Sequence, residues 1–204
     1  MDSTNGKKYL KRMLILIMGV YVIYSLNVQI KYNSYVNTTV NTNYDRLSII
    51  TNNGDALANR LEEFVKLTSE KEENNELNSA LYDNWRLVDG ASRSIQSYAL
   101  TISTKHPREE SYEWKIIQYS LLRVDQFIEG KTHKFLENHS YAISSEEKEK
   151  MEAVITVFRA FSEEKNNEFG DLNNIVEAIK EPMSLIDENY LGITEEMARI
   201  KDKD

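Results

Sequence analysis

The residues best spaced for metal chemistry are Glu129, His133 and Glu137, which recur every four positions, with His139 nearby. Residues four apart lie on one face of a helix, so these side chains could act together. A structural zinc site takes four ligands in which Cys and His predominate, but the chain has no Cys and no H-E-x-x-H motif. The spacing is more typical of a solvated Glu-His-Glu row. We therefore predict no metal and no cofactor.

Other catalytic arrangements are also missing from the sequence. It contains three His, no Cys, no G-x-S-x-G motif and no Walker-type loop, so nucleophilic and phosphoryl-transfer chemistry have no basis. Its paired carboxylates, such as Glu62-Glu63 and Glu163-Glu164, are adjacent in sequence. Neighbours along a helix do not converge on one substrate. We therefore expect no catalytic residues and no enzyme activity.

Two tryptophans are candidates for contact with a partner, because aromatic residues are enriched in protein interfaces. Trp114 falls within an apolar stripe, which favours a place in the core. Trp85 flanks the stripe of its own helix. If Trp85 is exposed beside Tyr82 or Leu81, these three residues form a candidate interaction surface.

An apolar stretch from Met13 to Ile30 contains no charged residue across 18 positions, although 28% of the whole chain is charged. As a helix it would measure about 27 Å, close to the roughly 30 Å hydrocarbon core of a bilayer. We therefore predict a transmembrane signal-anchor over residues 13–30, with membrane lipid as its partner. A cleaved signal peptide and a buried core helix are the alternatives.

Positive charges surround this stretch unevenly. Four cations precede it: Lys7, Lys8, Lys11 and Arg12. Only Lys31 and Arg46 follow it within about 20 residues, so the positive-inside rule places the N-terminus in the cytoplasm. We therefore predict a cytoplasmic stub over residues 1–12 and a C-terminal part outside the cell membrane.

The part after the apolar stretch is acidic. Residues 31–204 hold 21 Lys or Arg against 32 Asp or Glu, a formal charge of −11. Nucleic-acid binding rests on neutralising phosphates with basic side chains, so we expect no nucleic-acid partner. Without Cys there are no disulfides, and stability must come from a packed core.

The fold class predicted from helical spacing and from few Gly and Pro is all-α. The single transmembrane helix is followed by an extracytoplasmic bundle of four or five helices. We assign residues 31–54 to a juxtamembrane stalk, 55–191 to the helical bundle, and 192–204 to a C-terminal tail with one loose turn.

Apolar residues follow heptad spacing from Asn33 to Thr68, which is typical of a coiled coil. The Asn- and Thr-rich start, residues 33–43, could instead be a loose tether, and Asn52-Asn53-Gly54 could break the helix. Two packings remain open: a homodimer through this seam, or an antiparallel hairpin within one chain. We favour the hairpin, with a charged turn at residues 70–75.

Local sequence signals place the later helices. Pro107 ends a helix over residues 76–103, and Ser144 with Glu147 forms a capping box. Gly170 suits a helix C-terminus, and Asp171 suits the N-cap of the next helix. A third helix, with Trp114, Leu121 and Ile128 on its apolar face, is expected to bend at Gly130 and fray near residue 138. Pro182 predicts a kink in the last helix of the bundle.

These features predict a protein-interaction or scaffold module that is anchored in the membrane and faces the cell envelope, with an unknown protein partner. The alternative is a small-ligand-sensing bundle that signals through a partner membrane protein. A pocket lined by converging polar groups would favour ligand sensing. An apolar patch rimmed by charges would favour the interaction module.

Overall fold

The computed structural model describes residues 3–69, 75–104, 111–166, 169 and 171–201. Throughout these residues the regular structure is helical and no strand occurs, which confirms the all-α prediction. The elements are α1 (Ser3–Leu67), α2 (Asn75–Ala99), α3 (Ser111–Thr132), a π-helical turn (His133–Glu137), α4 (Ser145–Asn166), α5 (Leu172–Ile186) and α6 (Tyr190–Lys201).

The chain divides into two compact units, Met1–Asn41 and Thr42–Asp204. In the N-terminal unit, α1 is long and apolar enough to cross a membrane by length and composition, and 0% of its apolar window is buried. The structure therefore does not support a buried core helix over residues 13–30. A signal sequence near the N-terminus would have the same length and composition as a membrane anchor.

In the C-terminal unit, α1 supplies one wall of the core. The helix continues without interruption through Asn52-Asn53-Gly54, so the predicted break is not observed. The predicted heptad positions from Leu47 to Phe64 are all buried, namely Leu47, Ile50, Gly54, Leu57, Leu61 and Phe64, whereas the last predicted position, Thr68, is only partly buried. Within one chain, residues of other helices cover this seam: Phe64 packs on Trp85 of α2, and Phe158 of α4 lies against Gly54.

Helices α2 and α3 pack against each other, and α3 also packs against α5. Buried residues of α2 include Leu77, Val88 and Ile95 from its predicted stripe. Trp114, Leu121 and Ile128 of α3 are each 0% exposed. Because α3 contacts α2, α5, α6 and the π-helical turn, it is a central element of this unit, consistent with its wide apolar face.

Two predicted helix starts are confirmed by hydrogen bonds. The Glu147 amide donates to Ser144 Oγ at 3.1 Å, and the Ser144 amide donates to Glu147 Oε2 at 2.9 Å. Asp171 Oδ1 accepts from the Asn173 amide at 2.9 Å. These reciprocal and N-cap bonds satisfy amides that have no partner within their own helix.

Other details differ from the predictions. Helix α2 ends at Ala99 rather than at residue 103, and the predicted fraying near residue 138 is replaced by the π-helical turn. The C-terminal tail was wrongly limited to one loose turn, because α6 extends from Tyr190 to Lys201. Tyr190 is 1% exposed, and its packing stabilises a helix that the polar sequence alone does not suggest.

Some predicted signals lie outside the described residues. These are the charged turn at residues 70–74, the Pro107 stop with its flanking residues 105–110, and the Gly170 cap. Phe169 lies just before that glycine and adopts the left-handed conformation, with φ 51°. Its amide donates to the Glu164 carbonyl at 2.8 Å, a bond typical of a helix C-terminus.

Candidate functional site

The predicted interaction surface is largely buried. Trp85 is 0% exposed and Leu81 is 3% exposed, so the condition set for this surface, an exposed Trp85, is not met. The Trp85 ring packs on Phe64 and Phe135, with centroid distances of 5.0 and 4.5 Å. Burial in this aromatic cluster removes the apolar ring of Trp85 from water, which stabilises the fold. Of the three residues, only Tyr82 is half-buried.

The row of possible metal ligands does not form a cluster. His133 Nδ1 lies 2.6 Å from Glu137 Oε2, and both side chains are more than two-thirds exposed. Within the part of the chain that the structure describes, no group of three or more His, Cys, Asp or Glu could hold a metal ion. The pair is a solvated contact between neighbours on one helical face.

A polar cavity lies where three separate segments of the C-terminal unit meet. Its volume is about 460 Å³, and its walls come from the end of α1, the start of α2 and residues 138–142. Leu67, Leu77 and Leu81 form the apolar part of the wall. A second cavity of about 380 Å³ adjoins it and shares Asn78, His139 and Tyr141.

Amide and hydroxyl side chains also line the two cavities. The amides belong to Asn78 and Asn138, and the hydroxyls belong to Thr68, Ser79 and Ser140. Thr68 Oγ1 donates to the Val65 carbonyl at 2.8 Å. Among the described residues that line the two cavities there is no Asp, Glu, Lys or Arg.

His139 lines both cavities and has an unusual backbone conformation. His139 has φ 50°, in the left-handed region that favours glycine. The flanking amides of Asn138 and Ser140 donate to the His133 and Lys134 carbonyls at 3.1 and 3.0 Å. These bonds close the π-helical turn and fix the backbone on both sides of the imidazole.

Two tyrosines complete the aromatic part of the site. The Tyr82 and His139 ring centroids are 5.6 Å apart, and His139 Nδ1 lies 3.3 Å from the Tyr141 hydroxyl. Burial, with a smaller contribution from Tyr82, raises the pKa of Tyr141 above its usual value. The Tyr141 hydroxyl therefore stays protonated at neutral pH and can donate a hydrogen bond.

A buried polar cluster joins α3 to the turn before α6. The Tyr119 hydroxyl donates to Asp187 Oδ2 at 2.7 Å, and Arg123 Nε lies 2.8 Å from the same oxygen. Burial and the bond to Asp187 raise the pKa of Tyr119 to about 12. Tyr190 and Ser120 hydroxyls lie 2.8 Å apart beside it. This arrangement fixes one carboxylate with two partners, which is a structural role.

Asp125 is the buried carboxyl between α2 and α3. It is 5% exposed and accepts a hydrogen bond from Ser92 Oγ at 2.8 Å. Burial raises the pKa of Asp125, the Ser92 hydrogen bond opposes this rise, and nearby Glu129 and Asp89 add to it. Ser92 reaches this carboxyl from the buried face of α2, so the pair joins the two helices within the core.

Comparison of the chain with protein-family models, with curated proteins and with solved structures finds no match. The site therefore rests on its own geometry. Sequence reasoning named Leu81 and Tyr82 as parts of one surface and His139 elsewhere, but it did not bring His139 to the other two residues. Asn78 and Tyr141 were missed, because residues 77–81 and 138–142 of the cavity are more than 50 positions apart in the sequence and have no shared spacing.

Proposed function

We propose that the chain is a membrane-anchored helical bundle that faces the outside of the cell membrane and acts as a protein-interaction or scaffold module. The observation that carries this proposal is the contrast between the two units. The apolar window of α1 is 0% buried, whereas the C-terminal unit has its own closed apolar core. Such an exposed apolar helix is costly in water and stable in lipid.

The proposed orientation follows from the charges around the apolar window. Cations at residues 7–12 remain in the cytoplasm, and the acidic C-terminal unit is exported. Because the chain has no Cys, single Cys residues can be introduced without background labelling. In intact or wall-stripped cells, Ser145→Cys should react with a membrane-impermeant thiol reagent, and Ser3→Cys should react only after lysis. The reverse labelling pattern would contradict the orientation.

Exposed apolar residues on the C-terminal unit support a protein partner. Leu87 on α2 is 45% exposed, and Leu100 just after α2 is 61% exposed. A photocrosslinker at either position should yield a discrete protein adduct in cells, identified by mass spectrometry. Lys148, on α4, is the control position, because it is exposed but polar. Adducts that are equally abundant from all three positions would mean collision rather than docking.

A second candidate function, a ligand-sensing module, is favoured by the cavity of about 460 Å³ beside Asn78 and His139. Small-molecule sites usually measure about 300–1,000 Å³ and combine an apolar wall with a few convergent polar groups. The cavity has both properties. In this role the bundle binds a small molecule and passes the signal to a partner membrane protein.

A further inference from the structure

The described side chains in the walls of the two adjoining cavities favour one kind of ligand. Among the described residues, no Asp, Glu, Lys or Arg lines either cavity. A charged ligand would lose water there without gaining the opposite charge of a carboxylate, an ammonium or a guanidinium group from these residues. These residues therefore favour a neutral ligand that forms hydrogen bonds.

The mixture of groups in the walls restricts the ligand further. Within the described residues, the side chains of Asn78 and Ser79 have no hydrogen-bond partner, so an amide and a hydroxyl remain available to a ligand. An amide offers both donors and an acceptor, and a hydroxyl can do either. A lipid chain would leave these groups unpaired, at a cost in free energy. A neutral ligand rich in hydroxyls would pair them.

Three rings add flat surfaces to this polar wall. Tyr82 and His139 lie 5.6 Å apart at an angle of 40°, and Tyr141 stands next to His139. A sugar ring presents C–H groups on one face and hydroxyls around its edge. The C–H face can pack on an aromatic ring while the hydroxyls bond to the neighbouring amides.

We propose that these cavities, centred on Asn78, Tyr82 and His139, form a binding site for a neutral saccharide. This proposal rests on the second candidate function and names its ligand class. The two adjoining volumes of about 460 and 380 Å³ provide room for more than one sugar ring. Tyr82 supplies a stacking face, Asn78 supplies hydrogen bonds, and His139 lines both cavities.

The backbone of His139 supports a binding role for its side chain. A left-handed conformation is less favourable for a residue with a side chain than for glycine. The chain nevertheless has an imidazole at this position, beside the cavity. A side chain kept at a strained position is typical of functional sites. His139→Gly should therefore separate stability from binding.

The test uses the full chain, purified in a detergent without a sugar headgroup. We would titrate it with cellobiose, maltose and N,N′-diacetylchitobiose and follow binding by calorimetry and saturation-transfer NMR. At least one disaccharide should bind with Kd of about 1 mM or lower, which corresponds to about −4 kcal/mol. No binding by any of the three up to about 10 mM would overturn the proposal, since this limit corresponds to less than 3 kcal/mol.

Variants test whether the cavity is the site. Tyr82→Ala and Asn78→Ala should each raise Kd about five- to tenfold, as expected for loss of one stacking contact or of a hydrogen-bonding amide. Tyr98→Ala is the matched control, because Tyr98 is an exposed tyrosine on the same helix, and it should leave Kd unchanged. Asn78 is itself exposed, so its variant should fold normally even if Tyr82→Ala does not.

His139→Gly should raise Kd while the melting temperature stays the same or rises. Equal Kd values for the parent chain, Tyr82→Ala, Asn78→Ala and His139→Gly would place any sugar binding elsewhere and overturn the proposal. Binding of an uncharged peptide by the cavity, with no sugar binding, would overturn the saccharide assignment but leave the ligand-sensing function standing.

Discussion

Gly54 shows how one residue can have a different role from the one its sequence context suggests. Asn52-Asn53-Gly54 resembles a helix break, but the glycine lies inside α1 and faces Phe158 of α4. A Cβ at this position would lie 2.9 Å from Cγ and Cε1 of Phe158. The glycine is therefore required for the close approach of an aromatic ring to the helix backbone.

Gly54→Ala should destabilise the C-terminal unit by about 1–3 kcal/mol, because the buried Phe158 ring has to move to a strained position. Gly90→Ala is the matched control. Gly90 is also in a helix but has no atom within 4 Å of an added Cβ, so alanine should stabilise by up to about 1 kcal/mol. Chemical denaturation of both variants measures the difference, and equal effects would contradict the close approach.

Glu147 is a single residue with two roles. It completes the capping box with Ser144, and its carboxylate accepts from Lys131 and Lys134 at 2.9 Å. Burial opposes the charged form of Glu147, but these hydrogen bonds outweigh burial and lower its pKa to about 2. The sequence predicted the cap, whereas the two lysines could be assigned only once the π-helical turn was placed beside α4.

The lowered pKa of Glu147 predicts acid sensitivity. The unfolded chain binds this proton near pH 4.5, and the folded chain binds it only near pH 2. Stability from this residue is therefore complete above about pH 4.5 and is lost as the pH falls toward 2. Glu147→Gln should flatten the dependence of unfolding free energy on pH in that window. Glu149→Gln, at an exposed position of the same helix, should leave it unchanged.

Among the helices, the sequence predicted best those elements whose signals are local. The capping box at Ser144 and the N-cap at Asp171 are set by residues within three positions, and both were found correctly. The apolar stripe of α2 was also correct, because its period follows from helix geometry. Such signals do not depend on the rest of the fold.

The elements that were missed depend on distant contacts. Helix α6 is anchored by Tyr190, which meets Ser120 across 70 residues. Trp85 flanks its stripe in sequence, yet it is fully buried because Phe64 and Phe135 from two other elements surround it. The candidate site likewise combines Asn78 with His139, 61 positions apart in the sequence. Spacing within one helix contains no information about these pairs.

The buried seam of α1 leads to a prediction about how the chain folds and whether it forms a dimer. Leu57 is 0% exposed within one chain, so Leu57→Asp should place an unpaired charge in the core and unfold the C-terminal unit. Ala56→Asp is the control, because Ala56 is exposed one position earlier and should tolerate the change. Circular dichroism and light scattering measure folding and mass together. A dimer that Leu57→Asp converts to a folded monomer would mean that the seam joins two copies.

At the scale of the whole molecule, the two units suit different solvents: the C-terminal unit buries its apolar residues, and residues 13–30 expose theirs. The buried core of the C-terminal unit runs from Leu47 to Tyr190, and none of its members comes from residues 13–30. The apolar side chains of residues 13–30 are themselves largely exposed, such as Leu16 at 70% and Ile23 at 70%. A core that closes on itself needs no lipid, whereas the exposed apolar helix does.

The fragment from Tyr32 to Asp204 should therefore fold in water without the apolar stretch. It retains every residue of the core, so circular dichroism should show a mainly helical protein that melts cooperatively. The same fragment with Leu121→Asp is the control, because Leu121 is 0% exposed in α3 and its replacement by a charge should abolish the cooperative transition. A fragment that is disordered, or that needs detergent to become helical, would mean that residues 13–30 help to form the core.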